Sequence, residues 1–291
     1  MVVKALAPAK INLSLDVGGL REDKYHEVNM IMQAINLFDI VTIDTTNTGK
    51  IIINSSNKRL PTNEKNSAYI AANIFFDTLN VKNNGININI VKKIPVTAGL
   101  AGGSTDAAAV LVALNHLYKT NLNNDELADL GAKVGSDVPF CIYGGTMLAL
   151  GRGTNLKKLS PMPDCYIVLV KPVKSVLTKK AYQLIDEGNI INRPDNNKII
   201  GYLDSNNLTG VASEMKNVFE DVVSISDIST IKHLMKKHNP LGICMSGSGP
   251  TVFCVFKDEN KAANCEEELK KSFSYVYRAK PINYGCFIKK I

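Results

Sequence analysis

The chain has 291 residues, of which 45% are apolar and 21% charged, and it carries a net charge of +7. That length suits two ordinary domains or one large one, and the charge fraction excludes global disorder. The basic excess fits an anionic ligand such as a nucleotide, and equally a mildly basic surface; the Lys pairs are scattered without interleaved aromatics, which argues against nucleic acid.

Strand patterns open the chain. Lys10 to Val17 alternates, Gly18-Gly19 is expected to break it, and Val28 to Thr46 gives two apolar runs around Asp39, with Ile51 to Asn54 as a further short strand. A helix follows, capped by Asn66 or Ser67, with Ala68, Ala71, Ala72, Phe75, Phe76 and Leu79 at helical spacing. Ile86 to Val91 alternates Ile with Asn as a half-buried strand. A glycine-rich segment then leads into a helix predicted from about Ser104 to Tyr118. Its stretch Ala107 to Leu114 is small or apolar throughout, so it should be buried on most sides. A helix over Asp125 to Val134 and a strand over Thr146 to Leu150 complete the first half. Gly151 to Pro163 reads as a boundary, which gives domains 1–155 and 156–291.

The second half mixes strands at Tyr166 to Val170, Leu241 to Met245, Val252 to Phe256 and Tyr275 to Ala279 with helices from Thr178, over Ile228 to Lys237 and over Glu259 to Lys271. Residues 188–210 are Asn-rich and read as loop with a short helix. The expected class is α+β with predominantly antiparallel sheets. The six cysteines, Cys141, Cys165, Cys244, Cys254, Cys265 and Cys286, form no CxxC pair and read as reduced core residues. No apolar run reaches the ~18 residues of a membrane span, and the N-terminus shows no long apolar leader; the expectation is a cytoplasmic protein with no membrane partner.

Four segments carry chemistry. Gly99, Gly102 and Gly103 lie between a strand and a helix start, where backbone N–H groups and the helix terminus can meet an anion. Ser104 and Thr105 are expected to cap that helix and add hydroxyl donors. The spacing is neither that of a Walker A loop nor of a dinucleotide fingerprint, and it also fits a tight turn feeding a buried helix. Lys10 and Asn12 share one face of a strand while Ile11 and Leu13 take the other; that face suits an anionic or polyhydroxyl ligand, or solvent. Asp137, in Gly135-Ser-Asp-Val-Pro-Phe140, fits either a catalytic carboxylate or the cap of a helix with Pro139 in its first turn. Met245-Ser-Gly-Ser-Gly-Pro-Thr251 fits a turn of backbone donors or a plain glycine hairpin. Tyr25-His26, after a polar turn, can stack on a base and read its edge.

These segments, in this order, resemble the GHMP kinase superfamily (galactokinase, homoserine, mevalonate and phosphomevalonate kinases) from Ala7 to about Phe253. Pro8-Ala-Lys-Ile-Asn-Leu13, Tyr25-His26-Glu27 and Gly135-Ser-Asp-Val-Pro-Phe140 are similar to the branch whose acceptor is a diphosphocytidyl polyol. The resemblance implies a two-domain fold with the active site in the cleft between the domains, ATP as phosphoryl donor, and Mg²⁺ carried mainly by the nucleotide, with no metal ligand assigned to the protein. It puts catalysis on Lys10 and Asp137. It puts ATP on Asn66, Lys92, Pro95, Val96, Thr97, Ala98, Gly99, Leu100, Ala101, Gly102, Gly103, Ser104 and Thr105. Asn12, Tyr25, His26 and Tyr182 are expected to hold the substrate, in a monomer or weak homodimer. The chain departs from the family at Lys24, where the family has Gly, and at Val96-Thr97-Ala98, which replaces Met-Gly-Gly or Met-Gly-Ala. A homoserine-type kinase lacks a base to stack on Tyr25-His26, and a silent nucleotide sensor has no use for both Lys10 and Asp137.

Overall fold

A computed structural model describes residues 1–289; the last two residues of the expected C-terminal domain lie outside the described residues. The chain starts as a long hairpin, β1 (Val2–Leu20) and β2 (His26–Thr45), followed by β3 (Ile51–Ser55). Then come α1 (Ser67–Leu79), β4 (Ile86–Val91), α2 (Gly102–Tyr118), α3 (Asn124–Val134), α4 (Val138–Tyr143), β5 (Thr146–Gly151) and β6 (Asn155–Lys158). The second half holds β7 (Tyr166–Val170), α5 (Thr178–Glu187), α6 (Asn196–Asp204), α7 (Leu208–Ser213), β8 (Lys216–Asn217), α8 (Phe219–Val222) and α9 (Ser226–Lys236). It ends with β9 (Gly242–Met245), β10 (Val252–Phe256), α10 (Glu259–Lys270), β11 (Val276–Ala279) and β12 (Phe287–Ile288).

An eight-stranded sheet runs β12-β1-β2-β4-β3, with β5 and β6 attached through the lower half of β2 and β8 through β1. A four-stranded sheet runs β11-β7-β10-β9. Among the described residues only the β1/β8 and β3/β4 pairs are parallel, so the α+β class with mainly antiparallel sheets holds. In the second sheet Val252, Cys254 and Phe256 pack in one apolar cluster with α9 and α10, while Phe253 and Val255 face a second cluster shared with β1, β2, α6 and α7. Strand alternation thus buries this sheet on both faces.

Several local expectations are corrected. Gly18-Gly19 does not end the strand; β1 runs to Leu20, and a register shift between Val17 and Leu20 absorbs the extra residues. Strand β6 lies inside the expected boundary at Gly151 to Pro163 and pairs with β5. The Asn-rich stretch holds α6, capped by Asp195, and the start of α7, capped by Asn207; both side chains accept a backbone N–H. Helix α2 begins at Gly102, two residues early, with Ala101 in the left-handed region and no side-chain cap. Ser104 and Thr105 are therefore inside the first turn and cap nothing. The cysteines are all free and buried, as expected, and burial pushes the Cys286 thiol up to about 12, leaving it protonated.

Candidate active site

A cavity of about 900 Å³ opens between β1 and β2, the start of α2, α5 and the turn after β9. Lys10 and Asp137 line it, with Asn66, Lys92, Pro95, Val96, Thr97, Ala98, Gly99, Ala101, Gly102, Gly103, Ser104, Tyr25, His26 and Tyr182. Leu100, Thr105 and Asn12, also expected at the ligand, do not. Leu100 is buried in the apolar cluster beneath, where it pins the loop, and its carbonyl accepts the Lys10 N–H at 3.2 Å. Thr105 is fully buried, with its hydroxyl 3.4 Å from Cys286 Sγ. Asn12 is buried one layer behind the surface. Its Oδ1 accepts from Lys10 Nζ at 2.7 Å and from the Gly247 N–H at 2.9 Å.

The Lys10–Asp137 pair is held by backbone geometry. Ala9, Ile11 and Leu13 point into the apolar cluster, which turns Lys10 and Asn12 to the cleft face of β1. The Lys10 ammonium is buried and sits 3.7 Å from Asp137 Oδ2, whose side chain is 30% exposed. Asp137 occupies the cap position of α4, but its carboxylate makes no cap bond. Of its two open readings the cap fails, and the carboxylate is left facing the cleft. Tyr182 has its phenol pushed up to about 12 by burial and by the charge of Asp137, so it stays neutral there.

Left-handed backbone at Thr97, Gly99 and Ala101 shapes the glycine segment. The first intrahelical bond of α2 runs from the Thr105 N–H to Ala101 O at 2.9 Å. The preceding N–H groups of Gly102, Gly103 and Ser104 are the unpaired donors that a helix start offers an anion. Gly99 packs on the second glycine turn: Ser246 Oγ donates to Gly99 O at 2.9 Å, and a Cβ at Gly99 would collide with Ser246 O. Asn217 holds that turn from behind, donating to Met245 O at 2.7 Å and Gly247 O at 2.8 Å. Both departures from the family's glycines, Lys24 (φ +64°) and Thr97 (φ +49°), fall in the left-handed region, where a side chain is strained. Thr97 is compensated by its hydroxyl, bonded to Val96 O at 2.8 Å and to Ser175 Oγ at 2.9 Å.

Lys92 is tied up rather than free. Its ammonium is buried between Asp39 and Asp106, 2.6 Å from Asp106 Oδ2 and in direct contact with Asp39 Oδ2, and it also donates to Gly102 O at 3.1 Å. Burial alone would lower the Lys92 pKa, but the charges of Asp106 and then Asp39 outweigh it and raise it. Asp106 is pushed up to about 8, chiefly by burial against the pull of Lys92, with the charge of Asp39 adding to the rise. One cation therefore serves two carboxylates.

Sequence reasoning missed Asp39 and Asp106 as partners of Lys92, Asn217 behind the turn, and two groups at the far end of the cleft. Arg152 lies over the Tyr25 ring at 5.7 Å from its centroid and donates to Ala132 O at 3.3 Å. Asp186 is 2.8 Å from His26 Nε2. Tyr182 stands between the His26 ring (4.9 Å) and the Phe219 ring (5.0 Å).

The profile of the GHMP kinases N terminal domain matches residues 66–145, and that of the GHMP kinases C terminal domain matches residues 199–274. A 4-diphosphocytidyl-2-C-methyl-D-erythritol kinase of Clostridium tetani is 45% identical over 96% of this chain and 100% of the relative. A namesake from Clostridium botulinum is 47% identical over 95% and 99%. A crystal structure of 4-(cytidine 5'-diphospho)-2C-methyl-D-erythritol kinase superposes with TM-score 0.79 at 28% identity, covering 96% of this chain and 98% of that one. A homoserine kinase from Cytophaga hutchinsonii reaches the same TM-score at 23% identity, covering 99% and 97%. Shape alone therefore does not separate these branches; sequence identity does. The chain belongs to the GHMP kinase family, and within it to the 4-diphosphocytidyl-2-C-methyl-D-erythritol kinases.

Proposed function

We propose that the chain transfers the γ-phosphoryl group of ATP to the 2-hydroxyl of 4-diphosphocytidyl-2-C-methyl-D-erythritol, a step toward isoprenoid precursors. The observation that carries this reading is the Lys10–Asp137 pair, 3.7 Å apart, in one cavity with a glycine segment and an aromatic cluster. ATP takes the glycine segment, its phosphates meeting the N–H groups at the start of α2. The base takes Tyr25, His26 and Tyr182, with Arg152 as a further cation beside Tyr25. Asn12 acts through Lys10 and Gly247 rather than on the ligand. Residues 1–155 supply the nucleotide and catalytic lobe, and 156–291 the substrate lobe.

Asp137 is placed to accept the hydroxyl proton as the oxygen attacks the γ-phosphorus, and Lys10 to stabilise charge on the transferring group. Asp137 and the Ser104 hydroxyl are oxygen donors lining the cleft, and such hard donors suit a magnesium ion that arrives on the nucleotide. When bound, that ion supplies charge neutralisation at the phosphates. Among the described residues, no helix is long and apolar enough to cross a membrane. Free buried cysteines support a reducing, cytoplasmic setting. A small-molecule acceptor without nucleic acid, and a monomer or weak homodimer, complete the reading.

The test is ADP release with the diphosphocytidyl substrate present and absent, alongside homoserine. Substrate-dependent release is expected with the cytidine compound alone; consumption of homoserine in its place sinks the assignment. Asp137→Ala should lose at least ~100-fold in kcat, the scale of one positioned proton acceptor, with ATP affinity retained in calorimetry. Turnover within a few-fold of the parent removes Asp137 from its role.

A further inference from the structure

We infer that Asp186 is the positioning residue that sets which base the cleft accepts, acting through His26. The inference rests on the function proposed above. Helix α5 places Tyr182 and Asp186 one turn apart, on one face. Tyr182 is wedged between His26 and Phe219, so that face of the helix is fixed against the imidazole. Asp186 Oδ1 then lies 2.8 Å from His26 Nε2, and the His26 side chain is only 9% exposed, against 56% for Asp186. Tyr25, His26, Tyr182 and Asp186 all line the same end of the cavity.

An ionised carboxylate only accepts hydrogen bonds, so the bonded nitrogen Nε2 must carry the hydrogen. The tautomer of the neutral ring is thereby chosen: Nδ1 is left with a lone pair and acts as an acceptor. Among the described residues Nδ1 has no hydrogen-bond partner. Cytosine and uracil differ in that one presents an exocyclic amine, a donor, where the other presents a carbonyl, an acceptor. An acceptor on the ring pairs with the amine and repels the carbonyl. With Asp186 absent, either ring nitrogen can hold the hydrogen, and an Nδ1–H donor would meet a carbonyl equally well. Asp186 touches neither the reacting hydroxyl nor the phosphoryl group in this arrangement, so its effect belongs in recognition, not in the chemical step.

The experiment uses the full chain and measures kcat and KM separately for the cytidine substrate and its uridine counterpart. Asp186→Ala should raise KM for the cytidine substrate about tenfold, the worth of one good hydrogen bond, with kcat within twofold. Its cytidine-over-uridine preference should fall by a similar factor. Asp186→Asn should keep the preference, because its amide oxygen still accepts from Nε2–H. Long-range proton–nitrogen NMR of the four histidines, with His26 assigned by His26→Gln, reads the tautomer without turnover. The Nε2–H form is expected in the parent and Asp186→Asn, and a mixed population in Asp186→Ala. An unchanged base preference in Asp186→Ala, or an Nδ1–H parent ring, overturns this inference and leaves the kinase reading standing. A parent that phosphorylates neither nucleotide compound overturns both.

Discussion

The Asp39–Lys92–Asp106 cluster makes an asymmetric prediction about two carboxylates that share one lysine. Asp39 is fully buried (0% exposed) and has three partners: the Lys93 N–H at 2.6 Å, the Ile94 N–H at 2.8 Å and the Lys92 ammonium. Asp39→Ala strands one buried and one part-buried backbone donor, the buried one at ~1–3 kcal/mol. It also breaks a buried ion pair, a change that costs ~3–5 kcal/mol and overlaps with the first figure. The expected loss is about 4 kcal/mol, a large share of the ~5–15 kcal/mol that holds an ordinary domain. Asp106 differs, because its Oδ1 has no partner and its pKa is pushed up to about 8, so it already holds a proton near neutrality. An amide of the same shape replaces it at a cost below ~1 kcal/mol, keeping an oxygen for Lys92. Urea denaturation at pH 7, followed by far-UV circular dichroism, compares the midpoints. Equal losses, or a larger one for Asp106→Asn, refute the reasoning. The pH dependence gives a second readout. The folded pKa of Asp106 lies above its ordinary 3.8, so its contribution to stability is complete below about that value and is lost as pH rises through about 8. Asp106→Asn should flatten this decline; a decline as steep as the parent's counts against the assignment.

Two further substitutions probe the backbone of the site. Gly99→Ala puts a Cβ on a residue at φ +74° and drives it into the Ser246 carbonyl, so the ATP KM should rise at least ~10-fold, the equivalent of ~1.4 kcal/mol, and the melting temperature should fall; an unchanged KM dismisses the loop contact. Lys24→Gly removes a left-handed lysine (φ +64°) from the turn between β1 and β2. It should stabilise by about 0.5–1 kcal/mol, the left-handed penalty less the entropy of glycine. Destabilisation in urea would show that the Lys24 side chain earns its place.

The parts of the site legible in the sequence were those written in local pattern. Alternation around Lys10 and Asn12 gave their face, because Ile11 and Leu13 must be buried. The glycine spacing between strand and helix gave the loop. What local pattern lacks is the partner across the chain. Asp39 read as a break between two apolar runs, yet it is the buried carboxylate that caps the Lys93 and Ile94 N–H groups. Asp106 stands in an otherwise small or apolar helix, and a charge there signals an ion pair; only the fold says that the partner is Lys92. Asp137 was legible as an alternative, and its missing cap bond removes one of the two readings. The helix start was misjudged because hydroxyl residues are good caps by propensity, whereas here Ala101 turns the chain without one. Asp186 carries no local mark at all, being one more acid on an exposed helix.

Strand β1 explains why the two glycine turns stay in register with Lys10. Its odd-numbered residues change partners along its length. Ala5 and Ala7 pack in one apolar cluster, Ala9, Ile11 and Leu13 in the other, and Leu15 and Val17 in the first again. The changes coincide with register shifts between Pro8 and Ala9 and between Asn12 and Ser14, the signature of bulges that re-aim a strand. Between those bulges the backbone of Lys10 holds the glycine segment through Leu100 O, and the side chain of Asn12 holds the second turn through the Gly247 N–H. These anchor residues are two apart, so their spacing is the pitch of a strand, ~6.5 Å. Past the second bulge Ser14 turns to the opposite face, toward α6, with its hydroxyl on Asn196 Oδ1 at 2.5 Å. A shift of either glycine turn relative to Lys10 must therefore break a bond to β1, which places the precision of the site in one strand.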